Sequence, residues 1–221
     1  MPSRLRPVAS VAAEAVLVGD PGRALLLAQE LLQAPKMSNH ARGLWGYWGE
    51  TADGRELTVQ STGMGGPSAA LVLADLAKLG VRRAIRVGTC AALEPTRRVG
   101  ELVDVVEAHA WGGLGGGEGE PTLPDRALAA ALRRELGVSA RPATIASLDT
   151  LHGEHPDPAQ LRAEAADMQT AALLGHGAAL GVALAAVLIV TEDAAGRRAG
   201  DDLVEEAAKR AGKAAAAALG S

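Results

Sequence analysis

The feature that most limits how this chain can fold is an alternation. Short apolar runs at 15–18, 57–61, 84–87, 102–108, 143–147 and 183–190 alternate with helical patterns at 23–32, 67–79, 126–136, 171–180 and 203–219. Turn-forming residues mark the junctions: Gly19-Asp20-Pro21-Gly22, Gly63-Met64-Gly65-Gly66, Gly80, Gly137 and Gly181. Strands that alternate with helices predict an α/β fold, a mixed central β-sheet flanked by helices. A further strand-like run at 44–49 leads into the polar hairpin Thr51-Ala52-Asp53-Gly54, and a glycine-rich loop is expected at 112–119. No repeat or linker interrupts the pattern, so residues 1–221 read as a single domain. Hydrophobic residues make up 48% of the chain but aromatic residues only 2%, with no Phe, so the core must be built from Ala, Val and Leu.

One residue does not fit its frame. In Ala84-Ile85-Arg86-Val87-Gly88-Thr89, Arg86 sits inside an apolar strand. A guanidinium is rarely buried without an anionic partner, because desolvating an unpaired charge is too costly. Three glycine turns are expected to follow apolar strands, at Gly19–Arg23, Gly63–Gly66 and Arg86–Thr89. Strand carboxyl ends are where α/β folds place ligands, and glycines with helix N-termini bring backbone N–H groups close to an anion. Arg23 and Arg86 converging on one oxyanion, with the Thr89 hydroxyl beside them, predict an anion site. Neither a Gly-Lys-Ser/Thr phosphate loop nor a Gly-x-Gly-x-x-Gly fingerprint is present.

Other classes are disfavoured by composition. The net charge of −4 offers no nucleic-acid surface. Cys90 stands alone, which precludes an internal disulfide, and the five histidines show no metal-ligand spacing, so no metal is expected. The longest apolar run, 178–190, is interrupted by Gly181 and too short to span a bilayer. A cytoplasmic protein that meets neither membrane nor nucleic acid is expected.

Four ordered segments, "VGDPGRA", "NHARGLWGYWG", "TGMGGPSAA" and "IRVGTCAAL", followed by "DMQTAALL" and "VLIVTED", resemble the hexameric type of purine nucleoside and uridine phosphorylases. The resemblance is dense from Val16 to Gly100 and gives Arg86 a role. It implies that Gly19, Arg23, Arg86 and Thr89 bind phosphate and that Arg42 reaches in from a neighbouring subunit of a homo-oligomer, a trimer of dimers. It implies a nucleoside held by Met64, Cys90, Leu151, Asp167, Met168 and Gln169. The implied reaction is phosphorolysis to free base and ribose 1-phosphate. Inorganic phosphate is the co-substrate and no cofactor is needed.

The sequence departs from the family's pattern at the nucleoside end. Where the family has Glu-Met-Glu, this chain has Asp167-Met168-Gln169, which replaces a charged ribose ligand by a neutral amide. The position of the family's proton-donating aspartate falls on Glu192, with Asp193 next to it, and these two are the candidate catalytic acids. The family's arginine partner for that acid has no clear counterpart, although Arg197 and Arg198 lie close in sequence. Leu151 stands near the family's base-stacking aromatic, and Ser3 near its ribose-binding histidine. No convincing Gln and Arg pair for a pyrimidine lies between 147 and 167, which tilts the reading from uridine toward purine. The alternatives are a uridine phosphorylase, a nucleosidase that uses water, and a catalytically weak homologue that binds a ligand or serves in assembly. The three arginines argue against the nucleosidase.

Overall fold

A computed structural model describes residues 4–111, 121–150 and 161–221. In chain order the elements are β1 (Glu14–Val18), α1 (Pro21–Leu31), β2 (Gln33–Asn39), β3 (Gly46–Glu50), β4 (Glu56–Ser61), α2 (Gly65–Lys78) and β5 (Arg83–Ala92). There follow β6 (Leu102–Trp111), α3 (Arg126–Leu136), β7 (Ala140–Leu148), β8 (Ala165–Asp167), α4 (Thr170–Leu180), β9 (Ala183–Glu192) and α5 (Asp201–Leu219).

The strands form one mixed sheet in the order β2-β3-β4-β1-β5-β8-β7-β6-β9, and β9 also pairs with β5. The extra pairing closes β5, β8, β7, β6 and β9 into a ring, with the other strands as an open wing. β5 is the hub, running parallel to β1 and β9 and antiparallel to β8. Side-chain alternation divides the core into two layers. Val16, Val18, Ile85 and Val87 pack toward α1, α3 and α5. Ala15, Leu17, Ala84 and Leu188 pack toward α2 and α4. Arg86 alternates with Ile85 and Val87, so it projects into the α2/α4 layer.

Small residues take the place that aromatics usually fill. α5 buries Ala207, Ala208, Ala211, Ala215 and Ala218, and a Cβ on its Gly212 would stand 2.7 Å from a Leu27 methyl carbon. The helix therefore approaches α1 closely, and close packing of Ala on Leu supplies the density that rings supply elsewhere.

The strand–helix alternation read from the sequence is present, with specific differences. β2 was not expected, because its sequence carries Pro35 and several polar residues; it is an edge strand, where a missing N–H and an exposed face are tolerated. β8 is only three residues long, too short for a periodic signal. The expected turn Arg86–Thr89 is not a turn. β5 runs straight through it to Ala92, with Gly88 paired to Leu188 and Thr89 to Ile189. Gly88 is there for space: a Cβ would lie 2.6 Å from the Arg86 guanidinium carbon and 2.7 Å from a Leu188 methyl. The loop expected at 112–119 lies outside the described residues.

Candidate active site

A cavity of about 360 Å³ opens beyond the C-terminal ends of β1 and β4. Its lining includes Gly19, Asp20, Gly63, Met64, Met168 and Gln169, and the residues that cap α1, α2 and α4 are Asp20, Met64 and Gln169. Three helix N-termini thus converge on one space. Each brings the positive end of its dipole, a favourable setting for an anion, although the Arg23 N–H of α1 and the Thr170 and Ala171 N–H groups of α4 are already held by Asp20, Asp167 and Ser147. Gly63 and Gly65 have φ of 73° and 78°, so the approach to α2 uses left-handed backbone that glycine adopts without strain. Arg23, Arg86 and Thr89 line the same cavity.

Arg86 is buried, and its partners are now identified. Antiparallel pairing of β8 with β5 sets Ala166 opposite Ala91, which brings residues 167–170 back alongside 86–90. Arg86 donates from Nε to Thr170 Oγ1 at 3.1 Å, from Nη1 to Gln169 Oε1 at 2.7 Å and from Nη2 to Asp167 Oδ2 at 2.9 Å. A guanidinium has five N–H donors. Three are spent on these residues, leaving two for the cavity that Arg86 lines. Asp167 is fixed in turn by Ser147 Oγ at 2.5 Å, by Thr170 Oγ1 at 2.6 Å and by the Thr170 backbone N–H at 3.0 Å. The Asp167 carboxylate, expected among the nucleoside contacts, is a buried counter-ion beneath Arg86 and does not line the cavity. The sequence reading missed Ser147 and Thr170. An acid shortly before a helix start readily accepts from backbone N–H groups a few residues on, a local signal that points to the second of them.

Arg23 has no such partner. Its backbone N–H donates to Asp20 Oδ1 at 2.8 Å, while its guanidinium forms no ion pair among the described residues. Burial pushes its pKa down, the Asp20 carboxylate opposes that, and repulsion from Arg86 adds to it. A cation destabilised by burial and by a second cation gains most from an anion placed between them. Arg42 lies on the surface in a single 3₁₀ turn, Ala41–Gly43, with left-handed backbone (φ 61°, ψ 20°). Asn39 Nδ2 and Gln60 Nε2 both donate to Leu44 O, at 2.5 and 3.0 Å, and hold this turn in place. Arg42 does not line the cavity of its own chain.

The far side of the cavity is less ordered by contacts. Met64 is exposed and Met168 half-buried, and both line it. Cys90 does not: its thiol is buried in the α2/α4 layer, with Sγ 3.7 Å from Ile189 O, and burial above all raises its pKa far out of the physiological range. Its side chain belongs to the core, because Cys90 and Thr89 point to opposite faces of β5. Leu151 lies outside the described residues. Glu192, at the end of β9, is the register partner of Ala91, on the same face of β5 as Thr89. Its carboxylate accepts from Arg198 Nε at 3.0 Å. Asp193 is committed elsewhere. It accepts from the Ala195 and Arg197 backbone N–H groups, both at 3.0 Å, and from Arg197 Nε at 2.8 Å. These bonds, led by that from the Arg197 backbone, lower its pKa. A carboxylate that accepts from two backbone N–H groups and the Arg197 guanidinium closes a turn, and Asp193 does not line the cavity.

The Phosphorylase superfamily matches residues 14–221. The chain belongs to that superfamily. It is 31% identical over 194 residues to a DeoD-type purine nucleoside phosphorylase of Caldanaerobacter subterraneus subsp. tengcongensis, covering 82% of this chain and 83% of the relative. A Clostridium perfringens (strain ATCC 13124) protein of the same name is likewise 31% identical, covering 82% of each. The fold matches the crystal structure of purine nucleoside phosphorylase from Toxoplasma gondii in complex with immucillin-H, with a TM-score of 0.83 over 94% of this chain and 91% of the other at 24% identity. Among the described residues, no helix is long and apolar enough to cross a membrane.

Proposed function

We propose that the chain catalyses phosphorolysis of purine nucleosides, with inorganic phosphate as nucleophile and no cofactor. The observation that carries this reading is the convergence of Arg23 and Arg86 with three helix N-termini on one cavity. The relatives named purine nucleoside phosphorylases favour purine over uridine. Arg23, the two remaining Arg86 N–H groups, the Gly19 backbone and the Thr89 hydroxyl hold the phosphate. A phosphate oxygen forms a bond to the anomeric carbon of the sugar as the bond to the base nitrogen breaks and its electron pair leaves with the base. The anion so placed stabilises the positive charge that develops on the sugar.

The departing base needs a proton. Glu192 delivers it to the base, and Arg198 stabilises the carboxylate left behind. Met64 and Met168 pack against the nucleoside, thioethers adapting to its shape. Arg42, strained and exposed, supplies a third cation to a neighbouring subunit's cavity in a homo-oligomer, a hexamer built as a trimer of dimers. A cytoplasmic, reducing setting suits a chain whose one cysteine is buried.

A second reading rests on a different observation. Glu192 does not line the cavity in this single chain, which favours a ligand-binding homologue with little turnover. Base release from inosine, guanosine, adenosine and uridine, assayed with and without phosphate, separates the two. The proposed function predicts purine release only with phosphate. Phosphate binding without release of any base supports the second reading.

A further inference from the structure

Gln169 is 3% exposed, and both ends of its amide are engaged by the protein. Its Nε2 donates to Gly63 O at 2.6 Å and to Gly65 O at 3.2 Å. Its Oε1 accepts from Arg86 Nη1 at 2.7 Å and lies 3.1 Å from Thr62 Oγ1. A primary amide has two N–H donors and one oxygen with two lone pairs. Two carbonyls on one side and a guanidinium on the other fix its orientation, and no N–H remains to donate to a sugar diol. A glutamate here would turn one anionic oxygen toward the Gly63 and Gly65 carbonyls, so the fit is specific for the amide.

Resting on the phosphate-site reading, we infer that Gln169 is a positioning residue that locks the Arg86 fork to the Thr62–Gly65 turn, rather than a ligand for the sugar. The turn leads into the N-terminus of α2, and Arg86 supplies the charged donors. One side chain therefore sets the distance between the two halves of the anion cradle. Loosening it weakens phosphate binding in the absence of any nucleoside.

The test is titration of the full-length protein with inorganic phosphate by calorimetry, for wild type, Gln169→Met and Gln169→Glu, with folding checked by circular dichroism. Gln169→Met loses the acceptor for Arg86 and both donors, and Gln169→Glu loses the donors to the Gly63 and Gly65 carbonyls and adds a negative charge beside Arg86; phosphate binding is expected to weaken about tenfold or more in both near pH 7.5. The Glu variant adds a readout that a merely structural role would not move. As pH falls through about 4, its carboxyl gains a proton and again donates to a glycine carbonyl, so its affinity relative to wild type recovers, while Gln169→Met shows no recovery. The charged groups around position 169 are Arg86 on β5, Asp167 on β8, and Asp20 and Arg23 on α1; they are common to all three proteins, so the ratio isolates the substituted group. Should Gln169→Glu fail to fold, Gln169→Met still decides by its phosphate affinity. Unchanged phosphate affinity in the folded variants, with the whole defect in nucleoside KM, overturns the inference and makes Gln169 a sugar ligand. Absence of phosphate binding in wild type overturns the phosphate-site reading itself, and this inference with it.

Discussion

Two acid–arginine pairs contrast in burial, one beneath the cavity and one at the end of β9, outside the cavity lining. Arg86 and Asp167 meet at 2.9 Å with side chains only 5% and 0% exposed. Arg198 and Glu192 meet at 3.0 Å with 70% and 33% exposed. The buried pair is held by hydrogen bonds to Ser147, Thr170 and Gln169. The exposed pair sits on a tight return in which Glu192 bridges Arg198 and the Ala199 N–H reaches Thr191 O at 2.9 Å. Its strength is small and screened by solvent. On the proposed function the difference divides the tasks: the first pair would fix the anion cradle, and the second would leave an acid free to change partner during the reaction.

The largest expected effect comes from breaking the buried pair. Arg86→Ala strands the Asp167 carboxylate and removes the cradle's fixed cation. Phosphate-dependent turnover should disappear, and a urea melt should show a loss of about 3–5 kcal/mol. Arg23→Ala sharpens the contrast, because Arg23 carries charge without a fixed partner. Phosphate KM should rise about tenfold or more, while stability in the same melt stays within about 0.5 kcal/mol of wild type. An equal stability loss in both variants would show that the two arginines are not divided as described.

At the exposed end, Glu192→Gln should lower kcat by about a hundredfold and leave phosphate binding by calorimetry unchanged. A matching drop in phosphate affinity would remove the distinction between the two ends.

The smallest effect concerns acids that close turns. Hydrogen bonds, first from the Thr51 hydroxyl and then from Arg55, hold the Asp53 carboxyl at about 2, below its usual 3.8. A folded-state pKa below the unfolded one contributes stability that is present above the unfolded value and lost as pH falls through the folded one. The melting temperature of wild type should therefore fall more steeply than that of Asp53→Asn between about pH 4 and about pH 2. Parallel curves would assign the Thr51–Arg55 turn no such role.

The fold was legible where pattern is long. The ten-residue strands β5 and β9 announce themselves by apolar runs, and α3 by its spacing, whereas the three residues of β8 carry no periodic signal. Of the site, Arg86 was legible as an anomaly, since a charge in a buried strand demands a partner. The partner was not, because Asp167 lies 81 residues away and meets it only through the antiparallel register of β8. Asp193 is the opposite case: its contacts are local, made by backbone N–H groups two and four residues on, and side-chain chemistry alone does not reveal them.

Phosphorus NMR of the protein mixed with inosine and inorganic phosphate tests the central claim most directly. A sugar phosphate ester that grows at the rate of base release, and is absent with Arg86→Ala, is the predicted result. Base released with no new phosphorus signal would contradict the account, since the attacking oxygen would then come from water and the arginine cradle would have no part in the chemistry.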